Sequence, residues 1–174
     1  MRQKRKPLSF GRTKPNIPLT NWKRNTMKIY IDADGCPVVD ETISATKKHR
    51  IECVILCDTS HVFSRPDAKT ITVSKGADSV DFALVNMLHP GDIVVTQDYG
   101  LAAMCLAKNA VPISQDGMVY HSGNIDALLL ARHTAKKIRM SGGRLKGSKK
   151  RDPAQDAAFL SKLEDLIESR APEK

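Results

Sequence analysis

Short apolar segments alternate with amphipathic helical segments along most of this chain, and this alternation limits the fold more than any other feature. The predicted strands are brief runs of apolar and β-branched residues, at 28–32, 51–57, 70–73, 92–96 and 111–114. The predicted helices begin near Ser79, Tyr99, Asn124 and Asp152. Buried strands separated by helical crossovers are typical of a parallel sheet that helices cover on both faces. The sequence therefore predicts an α/β fold of three layers, with a central, mainly parallel sheet of about five strands.

Local side-chain chemistry indicates where several of these helices begin and end. Asp152-Pro153 places a capping carboxylate before a first-turn proline, which is a typical helix start. Asn124 is expected to cap the helix that follows it. His89-Pro90-Gly91 ends the helix that begins near Ser79, because proline and glycine interrupt helical hydrogen bonding.

The formal net charge of +9 is unevenly distributed along the chain. Residues 1–26 contain eight lysines and arginines and no acidic residue, whereas residues 27–131 contain eight basic and thirteen acidic residues. Prolines and the lack of periodicity predict that residues 1–26 form a disordered basic arm and that residues 27–170 form one domain. Met27 precedes the first strand directly, so a chain that starts there is a further hypothesis.

A second basic segment lies near the other end of the chain. Residues 132–151 contain nine basic residues and no acidic residue. Such a segment beside an acidic domain suits a ligand with a phosphate backbone. The alternative is a solvated charged loop, which is the usual fate of a charge run.

Nothing in the sequence favours a membrane or a secretory route. No apolar stretch approaches the ~20 residues that cross a bilayer, and the basic first residues lack the apolar core of a signal peptide. The four cysteines show no paired CxxC spacing, and Cys53 and Cys57 lie in an apolar run. We therefore expect a cytoplasmic protein with reduced thiols and no membrane partner.

Two carboxylates stand directly after the first predicted strand. Asp32 and Asp34 are two residues apart, so in an extended segment their side chains project on the same side. Like charges at that spacing repel unless a cation, a shared proton or a basic group compensates. One interpretation is an acidic metal site. The other is that one aspartate caps a following helix with Pro37 in its first turn, and this segment alone leaves both open.

Further aspartates follow the same pattern of strand ends and helix starts. Asp78 and Asp81 lie three apart at the start of the best-patterned helix, and Asp98 follows the fourth predicted strand. These positions all fall at the carboxyl edge of a parallel sheet, where ligands bind. Asp78 has the alternative role of a helix cap. Hard carboxylate ligands without neighbouring histidine or cysteine pairs favour Mg²⁺ or Mn²⁺ over Zn²⁺.

Four motifs in this chain resemble those of a known family. They are Asp32-Ala33-Asp34-Gly35-Cys36-Pro37-Val38, Lys75-Gly76-Ala77-Asp78-Ser79-Val80-Asp81, Thr96-Gln97-Asp98-Tyr99-Gly100-Leu101-Ala102 and Ser141-Gly142-Gly143-Arg144-Leu145-Lys146-Gly147. In this order they resemble the YaiI/YqxD family of uncharacterised bacterial proteins, from Met27 to about Ile167. That family looks like a branch of the PIN-like/NYN nuclease superfamily, whose members hold divalent metal with aspartates at the ends of parallel strands. The resemblance implies a PIN-like domain over 27–170, with residues 1–26 outside the family pattern.

The first hypothesis is a nuclease that depends on Mg²⁺ or Mn²⁺ and acts on RNA in preference to DNA. Its metal ligands, direct or through water, would be Asp32, Asp34, Asp78, Asp81 and Asp98. Asp32, Asp78 and Asp98 are the predicted catalytic residues. The residues expected to meet backbone phosphates are Lys75, Arg139, Arg144 and Lys146.

Two other functions remain open at this point. One is an RNA-binding or regulatory domain that keeps metal for stability alone. The other is a phosphatase of the haloacid-dehalogenase type, because Asp32-Ala33-Asp34-Gly35 resembles its opening motif, with the first aspartate as nucleophile. That chemistry also needs a threonine, a lysine and an acidic pair in order. Thr96 could serve as the threonine, but the later elements do not follow it in the required order.

Overall fold

The structure, a computed structural model, describes residues 27–60, 64–76, 78–144 and 150–170. Within these ranges it has five strands and five helices. The strands are β1 (Lys28–Asp32), β2 (Glu52–Asp58), β3 (Lys69–Val73), β4 (Ile93–Val95) and β5 (Val111–Ile113). The helices are α1 (Val39–His49), α2 (Ser79–Met87), α3 (Tyr99–Ala107), α4 (Ile125–Met140) and α5 (Pro153–Glu168).

All five strands form one parallel sheet in the order β3-β2-β1-β4-β5. The chain runs from β1 outward to β3 on one side and then returns through β4 and β5 on the other side. The winding direction therefore reverses between β1 and β4, which creates a crevice at the carboxyl ends of these two strands. An isolated antiparallel bridge joins Ile113 to Val119 beyond the sheet. The predicted α/β class and parallel sheet are confirmed.

Alternation along the strands divides the apolar core between the two faces of the sheet. On one face, Ile29 and Val95 pack with Phe159 and Leu163 of α5. On the other face, Tyr30, Val94 and Leu56 pack with residues of α2 and α3, such as Leu84 and Leu101. Helix α4 lies outside α3, where Ile125 contacts Ala102 and Tyr120. The side chain of residue 32 follows Tyr30 by two positions and so belongs to the α2 and α3 face.

A buried carboxylate accepts hydrogen bonds from backbone amides at the opposite, amino edge of the sheet. Asp92 is 2% exposed. Its Oδ1 accepts a hydrogen bond from the backbone N–H of Lys28 at 2.9 Å, and its Oδ2 accepts one from His89 N–H at 2.8 Å. The residue thus satisfies backbone donors at the start of β1 and β4. It lies away from the crevice and has a structural role.

Helix α5 begins as the sequence predicts, but two other caps differ. Asp152 and Gln155 form a capping box, with Pro153 in the first turn. Asn124 stands at the cap position of α4, yet its side chain binds His121 N–H and Val119 C=O instead of a free helix amide. Helix α1 begins at Val39 with Val38 as its cap and has no capping side chain, so neither Asp32 nor Asp34 caps it.

The remaining differences at the sheet are single residues at strand ends. Strand β2 runs from Glu52 to Asp58, one residue beyond the predicted limits at its carboxyl end. The three residues of β4 are fewer than predicted, although the flanking backbone still pairs with β5: the carbonyl of Asp92 accepts from Val111 N–H, and Thr96 N–H donates to the carbonyl of Ile113. The predicted arm at 1–26 lies outside the described residues.

Candidate functional site

The crevice between β1 and β4 is organised by a chain of hydrogen bonds through Thr96. The backbone N–H of Asp98 donates to Thr96 Oγ1 at 3.0 Å, and Thr96 Oγ1 donates to Asp32 Oδ2 at 2.8 Å. Because the hydroxyl accepts the first bond, its own hydrogen is directed at the Asp32 carboxylate. The ends of both strands are thereby connected at the point where the winding direction reverses.

Both carboxylate oxygens of Asp98 accept hydrogen bonds in the crevice. It caps α3, where its Oδ1 accepts hydrogen bonds from Gly100 N–H at 2.6 Å and Leu101 N–H at 3.1 Å. Its Oδ2 accepts a hydrogen bond from Arg132 Nη1 of α4 at 2.8 Å. Burial raises the pKa of Asp98, but the bonds from Arg132, Leu101 and Gly100 outweigh it, so the net shift is downward. Asp98 is therefore a firmly ionised group.

Asp81 is in the opposite electrostatic situation. It lies in the first turn of α2 and is partly buried. Burial and the negative charges of Asp32, Asp98 and Asp78 together raise its pKa to about 6, with only a small opposing effect of Arg132. Burial also raises the pKa of Asp32; the hydrogen bond from Thr96 opposes this shift, and the charges of Asp34 and Asp98 add to it. The crevice thus holds more negative charge than its own cations neutralise.

Asp78 does not cap α2 through its side chain. It stands at the cap position in a left-handed conformation, with φ 56°, and makes no capping hydrogen bond. The hydroxyl of Ser79 instead donates to the carbonyls of Ser74 and Gly76. The carboxylate of Asp78 is exposed and lines the crevice. The capping alternative considered for this residue is not what the structure adopts.

The crevice is an open cleft of about 560 Å³ at the carboxyl ends of the strands, which we call the acidic cleft. The structure brings all of the predicted metal ligands to it: Asp32, Asp34, Asp78, Asp81 and Asp98. It also brings Asp58, Gln97 and Arg132 to the same cleft. Gln97 Nε2 donates to the carbonyl of Gly35 at 2.8 Å and ties together the loops after β4 and β1.

The fit of this cleft to a divalent cation is partial. Its donors are carboxylate oxygens, which is the chemistry that Mg²⁺ and Mn²⁺ prefer. Among the described residues, however, no three acidic, histidine or cysteine side chains are arranged to hold a metal ion as they stand. The carboxylate of Asp98 already accepts hydrogen bonds from Arg132 and from two helix amides. For several carboxylates to share one ion, their side chains would have to turn inward and Arg132 would have to release Asp98.

The predicted phosphate-binding residues are less closely assembled. Lys75 precedes Gly76, which lines the acidic cleft, and is exposed. Arg139 near the end of α4 and Arg144 beyond it are also exposed, and Lys146 lies outside the described residues. Arg151, from the same basic segment, has a structural role: it binds Asp116, Asp156 and the carbonyl of Gln115. Among its described residues, the segment therefore combines exposed cations with one partly buried anchor, Arg151.

Sequence reasoning missed three of the lining residues for different reasons. Asp58 ends β2 as Asp32 ends β1, and a strand predicted to stop at Cys57 hid that parallel. Gln97 stands beside Asp98 in a motif that was already noted. Arg132 is 34 residues from Asp98 along the chain, and its approach depends on how α4 packs on α3. No local signal in the sequence identifies that contact.

The fold and the cleft define a doubly wound α/β protein with clustered carboxylates at its switch point. A family model described as "Uncharacterized BCR, YaiI/YqxD family" matches residues 30–169, so the chain belongs to the YaiI/YqxD family. It is 53% identical to the UPF0178 protein of Exiguobacterium sibiricum over 81% of this chain and 96% of the relative. It is 45% identical to a UPF0178 protein of Clostridium acetobutylicum over 81% of this chain and 97% of the relative. No solved structure matches the chain.

The family assignment agrees with the resemblance that the four motifs indicate.

In the described part of the chain, no helix has the length and apolar character needed to cross a membrane. The four cysteines are free thiols, and three of them are buried in the core.

Proposed function

We propose that this protein is a nuclease of PIN-like type that depends on a divalent metal and hydrolyses phosphodiester bonds in RNA. One observation carries the proposal: aspartates from three separate segments share one cleft, in which the pKa of Asp81 is raised to about 6. Burial makes the largest contribution to this shift, and the charges of the neighbouring aspartates add to it. Such crowding is unfavourable unless a cation relieves it. A strand-end carboxylate cluster with an open cleft is a suitable place for that cation.

The residues of the cleft have distinct parts in this proposal. Asp32 and Asp81 would supply carboxylate oxygens to Mg²⁺ or Mn²⁺, with Asp34, Asp78 and Asp98 contributing directly or through water. When bound, such an ion activates a water molecule and stabilises the leaving oxygen of a phosphodiester. Thr96 fixes the orientation of Asp32 by its hydrogen bond at 2.8 Å. Asp98, held by α3 amides, provides a rigid negative charge beside it.

The proposed substrate follows from the charge around the cleft. The exposed cations Lys75, Arg139 and Arg144 suit the phosphates of a nucleic-acid backbone. Lys146 belongs to the same proposed set. The preference for RNA over DNA rests on the resemblance to the PIN-like superfamily. A cytoplasmic location remains part of the same proposal.

The test is RNA cleavage by matched variants in Mn²⁺ or Mg²⁺. Asp32→Asn and Asp98→Asn should each abolish cleavage of single-stranded and structured RNA, whereas Asp40→Asn should leave it unchanged. Asp40 is a fair control because it is an exposed aspartate of α1, outside the cleft, that pairs with Arg65. Cleavage that persists in both cleft variants at the wild-type rate would show that the acidic cleft is not the active site.

A second function, an RNA-binding domain without catalysis, is favoured by two observations. Both oxygens of Asp98 already have partners, and no ready three-ligand group exists among the described residues. Wild-type protein that binds RNA and cleaves nothing across a broad substrate panel would support this candidate. The phosphatase hypothesis has less support, because among the described residues the cleft is lined by Arg132 and by no lysine.

A further inference from the structure

Helix α4 changes character midway along its length. Its first turns pack on α3 through Ile125, Leu128 and Leu129. From Leu130 to Met140 nearly every residue is exposed, so the second half stands away from the body of the domain. A helix segment without tertiary packing is held mainly by its own hydrogen bonds and by its anchored first half.

The face that anchors α4 becomes basic where the helix leaves the body. Arg132, Lys136 and Arg139 follow Leu128 at helical spacing and lie on the same face of α4. We call these three residues the basic stripe. Lys136 and Arg139 are exposed, whereas Arg132 reaches the acidic cleft and lines it. The stripe therefore begins inside the acidic cleft and extends outward from it.

Arg132 makes the only ion pair that the described residues show between the basic stripe and the cleft. Its Nη1 lies 2.8 Å from Asp98 Oδ2, and its side chain is 56% exposed. An ion pair this accessible contributes about 1 kcal/mol or less, so an incoming ligand can replace it. Asp98 keeps two backbone amide partners if the arginine leaves, so the carboxylate is not orphaned.

We propose that Arg132 is a switch residue, which binds Asp98 in the metal-free protein and turns to a backbone phosphate when a divalent cation and a single nucleic-acid strand enter the acidic cleft. This inference rests on the proposed function. A dication bound beside Asp98 would neutralise the carboxylate charge that holds the guanidinium of Arg132. It would also repel that guanidinium, because both are positively charged. A phosphate arriving next to that cation offers Arg132 a new partner with bidentate geometry.

The dimensions of the site favour a single strand over a duplex. Arg132 and Lys136 are about 6 Å apart along the helix axis, and Arg139 is about 4.5 Å further on. Such a stripe follows one backbone for a few phosphates. The acidic cleft of about 560 Å³ has the size of a site for one small molecule, so a segment of one or two nucleotides fills it.

Two binding measurements on the intact protein test the switch. Calorimetry gives the Mn²⁺ affinity without nucleic acid, and fluorescence anisotropy gives the affinity for a labelled oligouridylate with Ca²⁺ in place of Mn²⁺, across a range of salt. Arg132→Gln should bind Mn²⁺ about two- to fivefold more tightly, which is the value of one exposed ion pair. It should bind the oligouridylate more weakly, with a salt slope reduced by about 0.7.

Two matched variants separate this role from a general loss of charge. Lys136→Gln should reduce the oligouridylate salt slope by about 0.7 and leave Mn²⁺ affinity unchanged. Arg65→Gln, which removes an equivalent exposed pair with Asp40 on α1, should alter neither measurement. Arg132→Lys should show intermediate values in both, because lysine keeps the charge without the planar fork.

The outcomes separate the switch from the function on which it rests. If wild-type protein binds both Mn²⁺ and oligouridylate but Arg132→Gln leaves Mn²⁺ affinity unchanged or lower, the switch is overturned and the nuclease proposal stands. If neither wild type nor Arg132→Gln binds Mn²⁺, or none of the variants binds oligouridylate, both are overturned. Opposite changes in the two affinities for Arg132→Gln alone support the switch.

Discussion

At the scale of single residues, the acidic cleft combines one carboxylate whose ionised form is stabilised with others whose ionised form is destabilised by burial and by neighbouring negative charges. Asp98 has amide and guanidinium donors that lower its pKa after burial has raised it. Asp81 has burial and three aspartates that raise its pKa to about 6. These two residues differ because Arg132 and the free amides of α3 donate hydrogen bonds to Asp98, whereas burial and neighbouring negative charges dominate at Asp81.

The raised pKa of Asp81 predicts a distinct pH dependence of stability in metal-free protein. A carboxyl with a folded pKa above its unfolded value favours the folded state while it is protonated, and this contribution is lost as the pH rises through about 6. Asp81→Asn does not titrate. We therefore expect the variant to be more stable than wild type near pH 7.5, with the difference vanishing by about pH 3.5.

Urea unfolding in a chelating buffer at several pH values measures this difference. The control is the same comparison with Mn²⁺ present, where the neutral side chain should lose part or all of its advantage because the cation favours the carboxylate. An Asp81→Asn advantage that stays constant between acid and neutral pH would mean that charge crowding at this residue is absent.

Which site residues could be predicted depended on whether their signal was local. Asp32, Asp34 and Asp98 are recognisable because a strand end and a carboxylate adjoin in the sequence. Thr96 belongs to a family motif and to the phosphatase pattern, but neither indicates its bond to Asp32, which depends on the β1–β4 pairing. Arg132 depends on the packing of one helix on another, which no spacing rule encodes.

At the scale of elements, helix ends show how far local chemistry decides structure. Helix α5 begins at a proline that follows a capping aspartate, and both were evident in the sequence. Asn124 has the same capping chemistry, but the turn before α4 uses its side chain for His121 and Val119. The same residue type can cap a helix or close a turn, and the neighbouring backbone decides between them.

Removal of the α5 cap should have a measurable and limited cost. Asp152→Ala loses the bond from Gln155 N–H to Asp152 Oδ1 at 3.0 Å and breaks the capping box. We expect the free energy of unfolding to fall by about 1 kcal/mol, as for other helix caps. Chemical denaturation measures it, and Asp152→Asn should retain most of the stability. An Asp152→Ala variant as stable as wild type would show that the capping box contributes nothing.

The basic segment that follows α4 in the sequence carries a separate prediction. Replacing Arg144 and Lys146 together with alanine should weaken RNA binding and reduce its salt slope by about 1.4, at about 0.7 for each lost contact with a single strand. Anisotropy titrations across a range of salt measure the slope. Arg170→Ala, which changes an exposed cation just beyond the end of α5, is the control. An unchanged slope in the double variant would show that Arg144 and Lys146 do not contact the nucleic acid.

At the scale of the whole molecule, the parallel sheet was predictable and its strand order was not. Alternation of apolar strands and helices is a pattern in the sequence, so the layered α/β class follows from it. The order β3-β2-β1-β4-β5 depends on the side to which each crossover turns, which is decided by tertiary packing. The convergence of distant aspartates follows from that order, since it places β1 beside β4.

The charge of the acidic cleft predicts a response of the whole fold to metal. Mg²⁺ or Mn²⁺ that binds the folded state and not the unfolded chain should raise the melting temperature, with a stabilisation of about 2.7 kcal/mol at a hundredfold excess over the dissociation constant. Calorimetric or fluorescence melts with and without metal measure the shift. Asp32→Asn should reduce the shift, and Asp40→Asn should not. Identical melting temperatures with and without metal in wild-type protein would contradict a cation site.

The central claim is that carboxylates from separate segments cage one hard dication, and diffraction from crystals soaked in Mn²⁺ tests it most directly. Anomalous scattering locates manganese without assumptions about the substrate. We expect a manganese peak in the acidic cleft, with oxygens of Asp32 and at least one of Asp81 and Asp98 at about 2.0–2.3 Å, and with Arg132 withdrawn from Asp98. A fully occupied manganese site elsewhere on the molecule, with the cleft unchanged, would contradict it.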